Sequence, residues 1–549
     1  MNSNYKNIFM FKNPIRHFLN AENLIYPSVT LNKDEDSKNI DWAIPIDFNI
    51  RKYYGKNEVR NLKIPNYLNF YVLFEHCSLM TSFYDFGKIG EKHSRIKVNL
   101  ETGDFEAYSF QRNVEADLDK LTFFDTLFRF DIKSFYKSIY THKLVKYTDF
   151  SNSIYDNKDT FITNINGGQT DGILMGNYIS LYLAEFLLND IMCNIKESFK
   201  TKNIPNALSN FSDDIYIFSF LKYKDDIYKI VATVLGKYGF ELNDAKNEIY
   251  NYIEYNNSHT LTKEWKRVIS IQKDHERYID HLNQFKDENE SRTNYYLNFC
   301  NQLIYRISKI SDDKLKSIFA KNFFKSSYFT DLDSKAYNIT KENMHQLKYI
   351  MSEYPETILY IIPKFKNSNY FSAYIQKWVD AKFVLNLDTE FHEEQLYYLF
   401  GIEAIGNFKR QIPKSVFLKC METNNAILKS YMIMYHLPND IDPKAYLKTE
   451  EENWFLNYHI LLKKQDITNL EDDIINYLIP KSVLEKYNDG KAIGKQKKDY
   501  YMKFYKENII KKILLIKEYE KVEEEIKKYL KLKKEERMKN VSLAQKFID

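Results

Sequence analysis

Residues 211–218 read Phe211-Ser212-Asp213-Asp214-Ile215-Tyr216-Ile217-Phe218, two apolar-rich arms around an acidic pair. In outline this is a β-hairpin with carboxylates at its tip. Two adjacent carboxylates in a half-buried hairpin repel each other, and burial disfavours their charged forms. Bound divalent cations reverse both effects. An Asp-Asp dipeptide alone is a weak signal, and the chain has three others, Asp225-Asp226, Asp312-Asp313 and Asp472-Asp473. Those sit in polar or helix-start settings and read as surface; the apolar arms set Asp213-Asp214 apart.

Upstream, Phe128-Arg129-Phe130-Asp131-Ile132 is a short β run that brings a lone acid, Asp131. Residues 176–192 read as a helix, with Ile179, Leu183, Phe186, Leu187 and Ile191 at helical spacing. A second helix is expected over 225–238. Strand, helix, hairpin and helix make an α+β layout. Three carboxylates on two elements suit Mg²⁺, which takes a few carboxylates together with phosphate oxygens and water. Two such ions roughly 3.5–4 Å apart activate a 3′-hydroxyl and steady a leaving pyrophosphate. The absence of His and Cys in these segments argues against zinc.

Further out, residues 94–112 alternate, as in Ile96-Lys97-Val98-Asn99-Leu100, and with the turn Glu101-Thr102-Gly103-Asp104 they read as a β-hairpin. Residues 60–84 are aromatic-rich and helix-compatible, and 34–41 read as a polar loop. Beyond about residue 260 strand signals become rare. Helices are expected near 293–308, 311–324, 339–352, 369–386, 390–405, 414–434 and 451–464. A long charged helix follows over 499–538, where Ile509, Ile513, Ile516, Val522, Ile526 and Leu530 keep part of an apolar stripe. Ile-Pro-Lys recurs at 362–364, 412–414 and 479–481 at uneven spacing, so no strict repeat is set.

A length of 549 residues implies several domains. The aromatic share of 16% suits a base-stacking surface, although an AT-rich coding sequence gives the same bias. Net charge is only +4, so a nucleic-acid partner needs a local basic channel. Cys77, Cys193, Cys300 and Cys420 form no CxxC pair, which disfavours a zinc site or a disulfide framework and fits a reducing compartment. No stretch approaches the ~18 apolar residues of a membrane span, and no leader pattern opens the chain, so a cytoplasmic protein with no membrane partner is expected. In the helical half, His392-Glu393-Glu394 lacks the second His of a metalloprotease pair, and His345, His436 and His459 are isolated and read as structural.

Asp131-Ile132-Lys133-Ser134-Phe135-Tyr136 resembles the first palm motif of reverse transcriptases. Gln169-Thr170-Asp171-Gly172-Ile173-Leu174-Met175-Gly176, with Ser180 and Ala184-Glu185, resembles the second, and Phe211-Ser212-Asp213-Asp214 the third. Gly239-Phe240-Glu241-Leu242-Asn243 with Lys246 resembles the fourth, and Arg60 to Pro65-Asn66 the fingers signature. Within that superfamily, Phe135-Tyr136-Lys137-Ser138-Ile139-Tyr140-Thr141-His142, Ile64-Pro65-Asn66-Tyr67-Leu68-Asn69-Phe70-Tyr71 and Gly176-Asn177 are similar to bacterial abortive-infection, phage-defence reverse transcriptases of the AbiK type. Leu174 stands where the family usually has Pro, and Phe211 replaces the commoner Tyr.

The resemblance implies an α+β fingers and palm of the right-hand polymerase kind followed by an all-α, HEAT-like helical array. Its boundaries would be 1–120 for the N-terminal segment and fingers, 121–260 for the palm and 261–549 for the helical domain. It implies that Asp131, Asp213 and Asp214, with the Ile132 carbonyl, hold two Mg²⁺ ions, or Mn²⁺ in their place. Tyr136 takes the position of a steric gate against a ribose 2′-hydroxyl. Gln169 would touch the incoming nucleotide or the template, Gly172 and Lys246 would face the nucleotide, and Arg95 and Lys97 would grip its triphosphate. Implied partners are dNTPs, a DNA product that in some members is attached to the protein, and an RNA template or dedicated non-coding RNA in others, with assembly into a homo-oligomer. Three readings stay open: a phage-defence DNA polymerase, templated or not; a retron or intron-type reverse transcriptase; and a scaffold whose polymerase-like domain only binds nucleic acid.

Overall fold

The structure is a computed structural model that describes residue 18 and, apart from short gaps, residues 39–52, 58–144, 162–258, 307–325 and 341–546. The turn 101–103, Cys300 and nearly all of the helix expected over 293–308 lie outside the described residues.

Ile46, Phe48 and Ile50 alternate, as do Leu62 and Ile64, and they build β1 (Ile46–Arg51) antiparallel to β2 (Val59–Ile64). This corrects the helix-compatible reading of residues 60–84, because a period of two puts the apolar side chains on one face. The helix α1 (Tyr67–Cys77) starts only after Asn66, whose side chain accepts from the Leu68 N–H at 3.1 Å. The hairpin expected over 94–112 is also shorter than read. Only β3 (Val98–Asn99) and β4 (Asp104–Phe105) pair, and α2 (Ala107–Phe123) takes the remainder. Val114, Leu118 and Leu121 recur at helical spacing in α2 and bury against the sheet, which decides the matter.

The central sheet has the order β6-β7-β5-β8, antiparallel throughout, from β5 (Thr126–Asp131), β6 (Ala207–Phe211), β7 (Asp214–Ser219) and β8 (Glu248–Tyr250). Phe128, Phe130, Ile215 and Ile217 share one core with α3 (Tyr178–Thr201) and α4 (Lys224–Lys237). On the other face Leu127 and Phe218 meet α2 and Tyr255 of α5 (Tyr252–Ser258). The expected strand, helix, hairpin and helix are therefore present. The Asp225-Asp226 and Asp472-Asp473 pairs fall in first helical turns, as read.

The second half is helical: α6 (Asp313–Lys325), α7 (Lys341–Glu353), α8 (Ile358–Phe365), α9 (Asn369–Asn386), α10 (His392–Ile405), α11 (Lys414–Glu422), α12 (Ala426–Tyr435), α13 (Trp454–Lys464), α14 (Leu470–Tyr477), α15 (Lys481–Asn488) and α16 (Ala492–Lys546). The single helix expected over 414–434 is two, because Asn425 caps α12 by accepting from the Leu428 N–H at 3.2 Å. The Ile-Pro-Lys recurrences do different jobs: Pro413 and Pro480 open α11 and α15, whereas Pro363 lies inside α8.

One apolar core runs from β1, β2 and α1 through α3 and α4 into α16, where Tyr501, Phe504, Tyr505, Ile509 and Ile513 are buried. Arg51 of β1 pairs with Glu394 at 2.5 Å, the Asn49 N–H donates to His392 Nδ1 at 3.2 Å, and Tyr67 packs edge-on to Trp454 at 4.9 Å. His392 and Glu394 thus join β1 to the helical half. Among the described residues no helix is long and apolar enough to cross a membrane.

Candidate active site

Strand register brings the acids together. Asp131, the last residue of β5, stands directly opposite Asp214, the first of β7. The Ile132 N–H donates to the Asp213 carbonyl at 3.3 Å. That makes Asp131 and Asp214 a non-hydrogen-bonded pair, the kind whose facing side chains come closest. Asp213 lies with Ser212 in the two-residue loop joining β6 to β7. Ser212 has φ +52°, a left-handed position that glycine fills more easily, so the loop stores some strain at the acidic tip.

The three carboxylates differ in what neutralises them. Asp131 accepts from Lys246 Nζ at 3.1 Å on each oxygen and from Asn243 Nδ2 at 2.7 Å. The segment carrying them is laid beside β5 by the Asn243 N–H on the Asp131 carbonyl at 2.9 Å and the Lys133 N–H on the Glu241 carbonyl at 3.0 Å. Asp214 accepts from Arg129 at 3.1 Å, and Arg129 also donates to Glu248 at 2.9 Å. Burial raises the Asp213 carboxyl above its usual range, and Asp214 and Asp131 raise it further. Asp213 is the acid of the three that a cation would relieve most.

Behind this edge lies a second buried acid. Glu185 of α3 accepts from Asn210 of β6 at 3.2 Å. Burial pushes it up to about 7, and Asp213 adds to the rise, against hydrogen bonds from Ser94 and Asn210. The tyrosine at the gate position, Tyr136, shares a hydrogen bond with the Ser212 hydroxyl at 3.3 Å, which places it against the acidic loop.

The loop of Gln169 is stitched to Tyr136 and its neighbours. The Ile173 N–H donates to the Tyr136 carbonyl at 2.9 Å, the Gly172 N–H to Ile139 at 2.8 Å and the Thr141 N–H to Thr170 at 2.9 Å. Gly172 has φ +84°, and a Cβ there would meet the Lys137 carbonyl at 3.2 Å, so glycine is required twice over. Gln169 itself is exposed.

Arg95 and Lys97 are placed differently from each other. Arg95 forms a two-armed ion pair with Asp117 at 2.7 Å on both arms, donates to Ser209 at 2.8 Å and lies 4.0 Å from the Tyr216 ring centre. Its guanidinium is committed inside the fold, which corrects the expectation of a triphosphate grip. Lys97 is exposed. Arg129, Asn243, Ser212 and Glu185 had no role in the sequence reading. Arg129 had a readable signal, since a residue two before Asp131 in a strand shares its face.

Among the described residues no group of three or more His, Cys, Asp or Glu side chains is arranged to hold a metal ion. The acids here are hard oxygen donors, and Asp213, raised by burial and then by Asp214, has no Lys or Arg paired with it among the described residues. The described residues do not form a preformed cage.

No protein-family model matches the sequence, and no curated protein matches it. Among solved structures, telomerase from Candida albicans in complex with a TWJ fragment of telomeric RNA is similar at 11% identity and a TM-score of 0.30, covering 72% of this chain and 68% of that one. Apo telomerase from Candida tropicalis is similar at 13% identity and a TM-score of 0.31, covering 70% of this chain and 73% of that one.

Proposed function

We propose that this chain is a nucleotidyltransferase of the reverse-transcriptase kind that adds dNTPs to a DNA end. The observation that carries the reading is Asp131 directly opposite Asp214, with Asp213 in the adjoining strained loop. In this reading the 3′-oxygen of the growing strand attacks the α-phosphorus, its proton leaves to solvent, and the bond to pyrophosphate breaks. Mg²⁺, when bound, supplies charge neutralisation at the attacking and leaving oxygens. Asp131 and Asp213 would be its main protein ligands, with Asp214 and the Ile132 carbonyl beside them. Lys246, which neutralises Asp131 at 3.1 Å, would face the nucleotide. Tyr136, held by Ser212, would exclude a ribose 2′-hydroxyl by contact.

The motif resemblance supports the finer reading of a phage-defence polymerase of the abortive-infection type, untemplated and primed from a protein hydroxyl. The alternative is a templated enzyme that copies a dedicated non-coding RNA. Purified protein is incubated with labelled dNTPs and Mg²⁺, without template or primer, and resolved on a denaturing protein gel. The expected outcome is label that stays with the protein and falls on the order of 10³-fold or more in Asp213→Ala. Label that appears only when RNA is supplied would favour the templated enzyme. Strong nucleic-acid binding with no incorporation under any metal, template or partner would overturn the enzymatic reading.

A further inference from the structure

Residues 41–45 have no regular secondary structure until β1 begins, yet they touch three parts of the molecule at once. Toward the helical half, the buried Asp41 carboxylate pairs with Lys486 and with Lys497, the latter at 3.0 Å. The Asp41 carbonyl accepts from Tyr501 at 3.1 Å, and Trp42 presents its carbonyl to Ser482 at 2.6 Å. The Ile44 N–H donates to Glu451 at 2.9 Å, and the Ile44 carbonyl accepts from Trp454 Nε1 at 3.1 Å.

Toward α1, Asn69 donates to the Asp41 carbonyl at 2.6 Å and to the Asn164 carbonyl at 2.8 Å. Toward the turn that precedes Gln169, the Ala43 N–H donates to the Asn164 carbonyl at 3.2 Å. Gly168 is seated on the Trp42 ring: a Cβ on Gly168 would come within 3.1 Å of it, and one on Gly167 would meet Pro45 at 3.6 Å.

Residues 164–168 are the near end of the loop that carries Gln169. The Gly168 N–H donates to the Thr163 carbonyl at 3.0 Å and the Gln169 N–H to Asn166 at 3.2 Å. Asn166 Nδ2 donates to the Gly172 carbonyl at 2.9 Å. The far end of the loop is already tied to Tyr136, Ile139 and Thr141. Gln169 is therefore fixed from two sides, one the segment 136–141 that follows β5 and the other a strap anchored in the helical half.

We propose that residues 41–45 are a strap through which the helical half sets the position of the Gln169–Gly172 loop, with Trp42 a positioning residue for nucleotide binding. This rests on the polymerase reading above for its kinetic consequence. Trp42 is the useful probe because it is only partly buried, so replacing it leaves the apolar core intact.

The test compares the full-length protein with Trp42→Ala and Trp42→Phe in two measurements. The first is amide hydrogen exchange at Gly168 and Gln169, which needs no activity. The second is dNTP incorporation, with KM and kcat separated. The expected result is faster exchange at those amides in Trp42→Ala, roughly a ten-fold rise in KM for dNTP with kcat within a few-fold, and recovery of both in Trp42→Phe. Unchanged exchange would overturn the strap whatever the activity. Faster exchange with KM unchanged, or a fall in kcat alone, would overturn the positioning role. If the unaltered protein incorporated no nucleotide while exchange still rose in Trp42→Ala, the polymerase reading would fail and Trp42 would be left a structural residue, against this proposal.

Discussion

Buried acids are treated in opposite ways at the two ends of the chain's core. At the seam with the helical half each has its own partners: Asp41 has Lys486 and Lys497, Glu394 has Arg51, and Glu451 accepts backbone N–H groups from Ile44 and Lys481 at 2.9 and 3.2 Å. At the sheet edge, Asp213 and Glu185 have no Lys or Arg paired with them among the described residues; burial raises both, as it also raises Glu394 and Glu451 at the seam, so the contrast is sharpest with Asp41, which its two lysines lower. Satisfied charges make a joint that stays closed. Carboxylates without a counter-charge hold electrostatic strain that a ligand can release, which is where perturbed carboxylates and function tend to coincide.

The contrast breaks most visibly at Asp41. Asp41→Ala leaves Lys497, 12% exposed at the side chain, without its counter-charge. A loss of about 3 kcal/mol in unfolding free energy is expected by denaturant titration. A neutral result would mean that the seam is not held by charge. The Lys486 and Lys497 ammonium groups more than offset the desolvation that would raise Asp41, and hold its carboxyl below the ordinary value. Its contribution is therefore present above that value and is lost as pH falls through the folded-state pKa.

Glu185→Gln tests the other side. Because burial lifts this carboxyl to about 7, the parent protein loses stability as pH rises from the ordinary carboxylate value through 7, and the amide does not. The stability difference between variant and parent should widen by about 3 kcal/mol from pH 4 to pH 8. A difference that stays flat with pH would remove Glu185 from the strained set.

The smallest expected effect on stability is at Asp213. Asp213→Asn removes a penalised charge, so it should stabilise the fold by about 1 kcal/mol at pH 8 while abolishing incorporation. The gain should vanish as pH falls below the ordinary carboxylate range, where the unfolded chain is protonated too. Destabilisation at pH 8 would mean that the loop depends on the carboxylate for its shape.

Much of the sheet was legible because its signals are local. The apolar arms around Asp213-Asp214 and the run ending at Asp131 carry strand period and chemistry in a few residues. The missed hairpin of β1 and β2 also had a period of two, but Phe, Tyr and Leu in the adjoining helix blurred it. The strap was not legible for a different reason. Asp41 reads as one more polar residue in a polar stretch, and its partner Tyr501 lies 460 residues away. Irregular backbone has no period to detect, and nothing local to Asp41 distinguishes a solvated carboxylate from a buried one. Arg95 failed in the opposite sense: a basic residue near a hairpin suited a phosphate, but the acid that claims it, Asp117, sits in α2, a helix whose start was read as strand and whose remainder was not read.

The last helix, α16, has a hydrodynamic consequence. Its 55 residues span about 80 Å along the axis. A compact chain of 549 residues has a radius of gyration of about 24 Å, and hence a diameter near ~60 Å. A rod longer than the sphere it grows from has to protrude, and beyond the buried Ile513 none of the helix's described side chains is buried. In solution the molecule should diffuse and scatter as a particle with a handle: a distance distribution with a tail to ~80 Å or more, and a frictional ratio above that of a globule of equal mass.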